Sequence, residues 1–552
     1  MDKTTAKRKY PVGIQSFESL RKDGYVYVDK TPLIYKMITE GKPYFLSRPR
    51  RFGKSLLVST LAAVFEGRRD LFEAFTTEQG IEQPQLFIAQ TDWPWHKHPV
   101  IRFDFSAGDL RDIEQLDLLI DQTLNVYEQQ YGITPEVSAP NIRMIHLLRK
   151  AHRQTGRRCV VLVDEYDNFI LHALGDAEKV SQAIHRFQDV FGPLKAEDEH
   201  LQFVLITGIS KFSQMSIFSK LNNLQNISMQ PAYDTLCGIS EEELTTVLHP
   251  DIEMLGQANG LSYDEQLAEL KTMYDGYHFS EGKTDMYNPF SLVIAFSSQK
   301  IDSYWFDRGT SSSLIEMLSK MPPIDIAEIE GVRLPSTEFD LPLENFDAPL
   351  PVLFQNGYLT IKDCQRIGQL YIYTLGMPNT EVRMGFAECL YRHVAKETAG
   401  RSMKSAMLSA YNDFLLSGEL PPFLEALKAF YASVPYHLTA DNQNEHFYHA
   451  LLYTLLTSFG ADVRAEDPSA KGRADLTLLM PHGIYVMELK YDRQTPPGKP
   501  DGTASTADDA LRQIEERGYA QKYMQDGRPV TMVGIVFAPE ERNITQWKAT
   551  TA

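Results

Sequence analysis

Short apolar runs alternate with helix-spaced apolar positions through the first two hundred residues. Pro43-Tyr-Phe-Leu-Ser47 is a run of buried-strand type, and beyond a loop Leu56, Leu57, Thr60, Leu61 and Val64 recur at helical spacing. Further strand-like runs stand at Val100 to Phe105, Cys159 to Val163 and Phe203 to Thr207, separated by helix-like segments rich in Leu and Ile. That alternation predicts βα units with buried parallel strands. Upstream, Tyr25-Val-Tyr-Val28 alternates like a strand and leads into Thr31-Pro32, a good cap and first-turn pair, so a strand-to-helix passage is predicted there.

The pattern changes near Tyr274-Asp-Gly-Tyr-His-Phe279 and Tyr287-Asn-Pro-Phe290, where Gly, Pro, Asn and aromatics cluster as at a packed junction. Helical segments follow. Residues 349–396 then read as helix (349–358), strand (359–363), strand (370–375) and a helix from about 379, the order of a small winged-helix-like unit. Near the C-terminus, Gly472 to Met480, the turn at Pro481-His-Gly483 and Ile484 to Lys490 read as a β-hairpin, with helical runs before it at 444–453 and after it at 510–517. These shifts divide the chain into residues 1–290, 291–400 and 401–552.

Composition narrows the classes. A chain of 552 residues needs more than one core, and its 43% hydrophobic and 23% charged residues are globular values. The four cysteines, Cys159, Cys237, Cys364 and Cys389, are far apart, without the spacing of a disulfide framework or a zinc site. No apolar leader opens the sequence and no run approaches the roughly 18 apolar residues of a membrane span, so a cytoplasmic protein without membrane association is expected. A net charge of −18 argues against a protein that coats nucleic acid nonspecifically, although a local basic groove or metal ions could dock a phosphate backbone.

Two stretches carry candidate chemistry in the first part. In Phe45-Leu-Ser-Arg-Pro-Arg-Arg-Phe-Gly-Lys-Ser55 the strand, loop and helix order is that of a phosphate-binding loop. Backbone N–H groups and the helix N-terminus would cradle phosphates, Gly53 keeping the backbone close, Lys54 reaching the outer phosphates and Ser55 ligating Mg²⁺. Arg50 and Arg51 could add positive charge, while Arg48 stands where such loops carry a glycine. In Cys159-Val-Val-Leu-Val-Asp-Glu-Tyr-Asp167 a buried strand runs into acids at the end where α/β sheets bind ligands, so Asp164 would hold Mg²⁺ through water and Glu165 would polarise the attacking water. Thr207, Ser210 and Lys211 are either γ-phosphate sensors or strand-end and surface residues; Arg308 and Arg383 are either lid arginines or ordinary surface ones. The segment around Tyr25 to Leu33 could flank an adenine ring, and His96 and His98 are assigned to a surface loop.

The hairpin carries a second set. Glu488 and Lys490, two apart on a strand, share a face. If Met480 pairs with Gly483, Asp475 falls across from Glu488, close enough for both carboxylates to hold one cation; a longer turn would spoil this. Two acids beside a lysine suit Mg²⁺-assisted phosphodiester cleavage, with Glu445 as a further acid, Gln513 fixing the lysine or a phosphate, and residues 494–508 as a loop over the site.

The stretches RPRRFGKS (48–55), VLVDEYD (161–167), NGYLTIKD (356–363), GRADL (472–476) and MELK (487–490) resemble a prokaryotic family in which an AAA-ATPase-like domain precedes a PD-(D/E)xK nuclease superfamily domain. The resemblance covers nearly the whole chain. It implies an α/β architecture: a P-loop NTPase domain of AAA/STAND-like type, a helical and winged-helix-like middle acting as a lid or a DNA-binding unit, and a restriction-endonuclease-like α/β/α domain. It makes Arg48 a family trait, and it places Lys54, Ser55, Asp164 and Glu165 in the ATPase motif and Asp475, Glu488 and Lys490 in the nuclease motif. ATP and Mg²⁺ follow as cofactors, and nucleic acid, DNA foremost, as partner, with a homo-oligomer open. Two functions fit: an ATP-gated, Mg²⁺-dependent nuclease, for which similar architectures suggest mobile-element or antiviral roles, or a nucleotide-dependent signalling switch whose nuclease-like domain binds without cutting.

Overall fold

The structure, a computed structural model, describes residues 8–106, 112–173, 176–210, 221, 223–282, 284–306, 318, 326–339, 349–394, 399–434, 445–491, 505–538 and 541–552. The chain forms two compact units, Met1–Trp305 with Gly331–Glu381, and Phe306–Glu330 with Val382–Ala552.

The first unit is built on a parallel sheet of β1 (Pro43–Ser47), β2 (Val100–Asp104), β3 (Cys159–Asp164), β4 (Leu201–Gly208) and β5 (Gln225–Asn226), in the order β2-β3-β4-β1-β5. The four long strands are those the apolar runs predict. All of β3 is buried because parallel strands are covered by their crossover helices. Each fully buried Val or Leu there contributes roughly 1.5–3 kcal/mol. Helix α1 (Thr31–Glu40) precedes β1, α2 (Lys54–Phe65) follows it and packs on β3 and β4, and α3 (Ile113–Gln130), α4 (Pro140–Thr155) and α5 (Ala177–Phe191) make the later crossovers.

The alternation at Tyr25–Val28 does not make a strand. It pairs with its neighbours only at an isolated Lys9–Tyr25 bridge, because Val26, Tyr27 and Val28 turn onto the wall of an apolar cavity. Helix α1 does start at Thr31 with proline in its first turn; Lys30 holds the cap position, and Asp29 Oδ1 accepts from the Thr31 N–H at 2.8 Å.

Later in this unit β6 (Arg333–Pro335), β7 (Thr360–Ile367) and β8 (Leu370–Gly376) form an antiparallel sheet in the order β6-β8-β7. Helix α6 (Pro349–Gln355) precedes β7, and α7 (Thr380–Val394), which belongs to the second unit from Val382 onward, follows β8, the order the pattern predicts, while β6 is additional.

The second unit holds α8 (Ala399–Ser417), α9 (Leu420–Ala432), α10 (Glu445–Ser458) and α11 (Ala507–Arg517) around a mixed sheet. Its strands β9 (Asp462–Ser469), β10 (Gly472–Met480), β11 (Gly483–Tyr491), β12 (Val530–Ala538) and β13 (Asn543–Thr551) lie in sequential order, antiparallel except for the β11–β12 pair. Strand alternation assigns the faces. Ile484 and Val486 cluster with Leu511 and Ile514 of α11, whereas Tyr485 meets Phe414 of α8 at 4.9 Å and Tyr491 meets Tyr448 of α10 at 6.0 Å. The sheet thus carries helices on both faces, and α11 supplies the crossover that parallel pairing requires. All four cysteines are free thiols, and among the described residues no helix is long and apolar enough to cross a membrane.

Candidate functional sites

The loop between β1 and α2 turns through two left-handed residues, Arg51 at φ 66° and Gly53 at φ 90°. No side chain caps α2, so its first N–H groups face the loop, and a Cβ placed on Gly53 would meet nothing within 4 Å. The backbone at Gly53 thus borders open space. Lys54 Nζ donates to the carbonyls of Arg48 at 2.9 Å and Pro49 at 3.0 Å. Burial pulls its ammonium below the usual lysine range, opposed by the charges of Glu165, Asp164 and Asp167. Ser55 is half-buried in the first turn.

The acids at the end of β3 meet this loop. Asp164 Oδ1 accepts from the Thr207 hydroxyl at 2.6 Å and from the Glu165 N–H at 3.1 Å. Thr207 is therefore a brace for Asp164 in this arrangement. Glu165 sits at φ 50°, an uncommon value for a residue with a Cβ. Burial raises its carboxyl, opposed first by Lys54. Asp167, to which the sequence pattern assigns no role, is buried and accepts from the N–H groups of Ile209 at 2.9 Å and Ser210 at 2.6 Å and from the Ser210 hydroxyl at 2.5 Å. It ties the end of β4 to the acid segment. Gly208 permits this approach, since a Cβ there would lie 2.6 Å from Asp167 Oδ1.

Residues far apart in sequence hold the loop in place of glycines. The Arg48 guanidinium is 1% exposed, donates to the carbonyls of Ser228 at 2.7 Å, Ser47 at 3.0 Å and Tyr233 at 3.1 Å, and lies 4.1 Å from the Phe279 ring. It points into the protein as an anchor. Phe52 packs edge-on against Tyr277 at 4.7 Å and Phe279 at 5.3 Å. Gly357, at φ 84°, lies against Pro49, which a Cβ would approach to 2.6 Å. The Arg51 guanidinium stacks over Phe290 at 4.1 Å and donates to the Tyr304 carbonyl at 3.4 Å, while the Arg50 carbonyl accepts from the Trp305 indole at 3.4 Å. Arg50 adds charge near Glu165; Arg51 is directed to the 290–304 segment.

Beside Gly53 lies an apolar cavity of about 120 Å³, lined by Val28, Leu56, Leu57, Leu236 and Phe296 among others. Lys30 on its wall is paired to Glu243 at 2.6 Å. The Tyr25–Leu33 segment lines part of it.

In the second unit Pro481-His482 makes a two-residue turn, and β10 and β11 pair one to one from Met480↔Gly483 to Leu476↔Met487. The ladder ends one pair short of Asp475 and Glu488, which corrects the expected direct pairing. Beyond Leu476 the partner of the Leu489 N–H is the Asp475 side chain, Oδ2 accepting at 2.6 Å. The Asp475 carbonyl in turn accepts from His449 Nε2 of α10 at 2.7 Å. Burial raises the Asp475 carboxyl, opposed by this N–H and by the charges of His449 and Lys490. Glu488 and Lys490 share the α11 face. Lys490 Nζ donates to Glu488 Oε1 at 2.9 Å and Gln513 Oε1 at 2.7 Å, and Gln513 Nε2 donates to Glu488 Oε1. The amide of Gln513 fixes lysine and acid together, and α11 is amphipathic in a way that turns Leu511 and Ile514 to the sheet beside it.

Comparison with known proteins gives the same two parts. Residues 11–218 match the family described as Predicted AAA-ATPase, and residues 443–547 match the PD-(D/E)XK nuclease superfamily. Over 549 residues, 98% of each chain, the protein is 34% identical to the "Uncharacterized protein in vnfD 5'region" of Azotobacter chroococcum mcd 1. The chain belongs to this family of AAA-ATPase-like proteins with a C-terminal PD-(D/E)XK nuclease superfamily domain.

Three stretches far apart in sequence, RPRRFGKS, VLVDEYD and NGYL, meet at the loop between β1 and α2. Sequence patterning missed Asp167, the anchoring role of Arg48, and His449; a third acid in VLVDEYD and a histidine four residues after Glu445 were the available signals. Glu445 begins α10, its side chain outside the described residues, as are Lys211, Arg308 and residues 494–504 of the predicted loop. Ser210 serves Asp167, Arg383 pairs with Glu330 at 3.3 Å, and His98 bonds the Arg158 carbonyl at 2.9 Å in an irregular segment that also holds exposed His96. Among the described residues no group of three or more His, Cys, Asp or Glu side chains is gathered as a metal site.

Proposed function

We propose that the protein is an ATP-binding ATPase coupled to a Mg²⁺-dependent nuclease that acts on nucleic acid, DNA foremost. The observation that carries the reading is the joining of Lys490, Glu488 and Gln513 in one hydrogen-bonded group beside Asp475, at the point where the hairpin ladder opens. Asp475 and Glu488 offer hard carboxylate oxygens, which suit a Mg²⁺ ion that takes one or two protein carboxylates and keeps its waters. Such an ion supplies charge for the phosphate and acidifies water. Lys490, fixed by Gln513, orients the nucleophile, and Glu445 opens the helix that would add a further acid.

In the first unit the bare N-terminus of α2 and the open space over Gly53 suit phosphates, with Lys54 drawn from its carbonyl partners toward them. Arg50 adds charge, and Arg51 acts by shaping the loop. Ser55 and Asp164 would hold Mg²⁺, Thr207 keeping Asp164 in place, and Glu165, raised by burial, polarises water. The apolar cavity beside Gly53 suits the base. The working division is residues 1–290 for the ATPase, 291–400 for a winged-helix-like lid and 401–552 for the nuclease, in a cytoplasmic protein that could act as a homo-oligomer in mobile-element control or antiviral defence.

Purified protein incubated with Mg²⁺, with and without ATP, on single- and double-stranded DNA and RNA tests this: ATP-responsive cleavage is expected. The net charge of −18 favours the alternative switch, whose outcome is binding of nucleic acid or protein without product.

A further inference from the structure

Glu381 is a buried carboxylate outside both sets of candidate catalytic groups, and its partners are two backbone N–H groups and one hydroxyl. Oε1 accepts from the N–H groups of Tyr304 at 2.6 Å and Trp305 at 2.8 Å, and Oε2 from the Ser291 hydroxyl at 2.8 Å. Tyr304 and Trp305 sit where the chain leaves the first unit. It crosses to the second unit directly after Trp305 and directly after Glu381, two of its three crossings. One carboxylate therefore fastens two of the crossing segments to each other.

The same segment touches the phosphate loop. The fully buried Trp305 indole donates to the Arg50 carbonyl at 3.4 Å, and Arg51 donates to the Tyr304 carbonyl at 3.4 Å. Behind it the Trp305 ring packs on Tyr358 of the NGYL motif at 5.4 Å, two residues from Asn356 and next to the Gly357 that abuts Pro49. Any shift of the backbone at Arg50 and Arg51 on phosphate binding would carry or break both contacts to residues 304–305. A carboxylate with three donors is a stiff connection, because losing any one leaves a buried polar group unsatisfied.

Resting on the nucleotide reading above, we infer that Glu381, Tyr304 and Trp305 form a clamp through which occupancy of the phosphate loop regulates the C-terminal unit. Glu381 acts as a positioning residue. Nucleotide on the loop tightens the clamp and sets both crossings at once; the empty loop leaves them slack. The coupling is an equilibrium between two clamp states, so ATP shifts it only as far as the loop contacts differ between them.

Hydrogen exchange of the full-length protein, with and without ATP and Mg²⁺, tests the clamp without requiring cleavage. The amides of residues 299–306 are expected to exchange about tenfold more slowly with ATP in the wild type, alongside protection of residues 48–57. Glu381→Ala should keep the 48–57 protection and lose that at 299–306, and ATP should no longer alter cleavage. Glu381→Gln, which keeps an acceptor for both N–H groups, should restore both. Trp305→Phe, which removes the indole N–H and part of the ring packed on Tyr358 while leaving Glu381 and its three donors in place, gives a second test should Glu381→Ala fail to fold. ATP protection confined to 48–57 in the wild type would overturn the clamp alone. No protection anywhere would overturn the nucleotide reading together with it.

Discussion

The phosphate loop and the open end of the hairpin solve the same problem, holding charged side chains at a buried polar site, by opposite means. The hairpin site is local: Asp475, Glu488 and Lys490 lie within 16 residues, placed by a two-residue turn, and one helix contributes Gln513. The loop is held from outside, by Ser228, Tyr233, Tyr277, Phe279, Trp305 and Gly357, across more than 300 residues of chain. A glycine-rich loop reaches its turn because glycine tolerates it. This one, with arginines at 48, 50 and 51, keeps a left-handed glycine at Gly53 and is otherwise held by buried contacts. Substitutions at a distance should therefore disturb the loop and spare the hairpin.

The largest effect is expected where the site is local. If they hold the proposed Mg²⁺, Asp475→Ala or Glu488→Ala should lower cleavage by about a thousandfold or more, the several kcal/mol that a metal ion would contribute, with the melting temperature little changed. Lys490→Ala should leave metal binding intact and reduce the rate by about a hundredfold. Cleavage that survives Asp475→Ala sinks the assignment of the hairpin.

Next come the two sides of the loop. Lys54→Ala should weaken ATP binding by about a hundredfold, the worth of a charge-assisted contact. Glu165→Gln should bind ATP normally in calorimetry and lose turnover by a similar factor. Equal loss of binding in both would erase the distinction between cradle and acid.

The comparison is sharpest at Arg48. Arg48→Gly restores the residue that a glycine-rich loop would have, yet it deletes a buried anchor and leaves three carbonyls without their donor. A loss of about 3 kcal/mol in denaturant unfolding is expected, with ATP affinity falling and nucleotide-free cleavage kept. Unchanged stability would mean that the loop holds itself.

The smallest effect is a pH dependence at Glu381, whose carboxyl burial pushes from 4.5 up to about 7. A carboxyl raised in the folded state favours the protonated form there. Its contribution is present in full below its unfolded value and is lost as pH rises through about 7. Glu381→Gln mimics the protonated form, so its stability relative to wild type should improve by roughly 2 kcal/mol between about pH 5 and about pH 8. A difference independent of pH would mean that Arg51 and the donors keep Glu381 charged throughout.

Much of this molecule is legible along the chain, and the reason is periodicity. Four apolar runs become four strands of the parallel sheet, because a strand buried on both faces has no polar positions to hide it. The hairpin was legible because a two-residue turn admits one register, down to the pair at which the ladder opens. The misreading at Tyr25–Val28 shows where periodicity stops: the alternating residues Val26, Tyr27 and Val28 all line one cavity, and no neighbouring strand extends the Lys9–Tyr25 bridge.

What the sequence by itself determined is the order of elements and the identity of the charged groups, since both depend on neighbours within one turn of helix or one strand period. Outside the hairpin, the tertiary structure alone decided which groups meet. Arg48 reads as a defect in a phosphate loop until Ser228, Tyr233 and Phe279 surround it, and Asp167 reads as a strand-end acid until Ser210 closes on it. Those partners lie 43 to 231 residues away, and no local period encodes contacts that exist only once the sheet has brought its strand ends together.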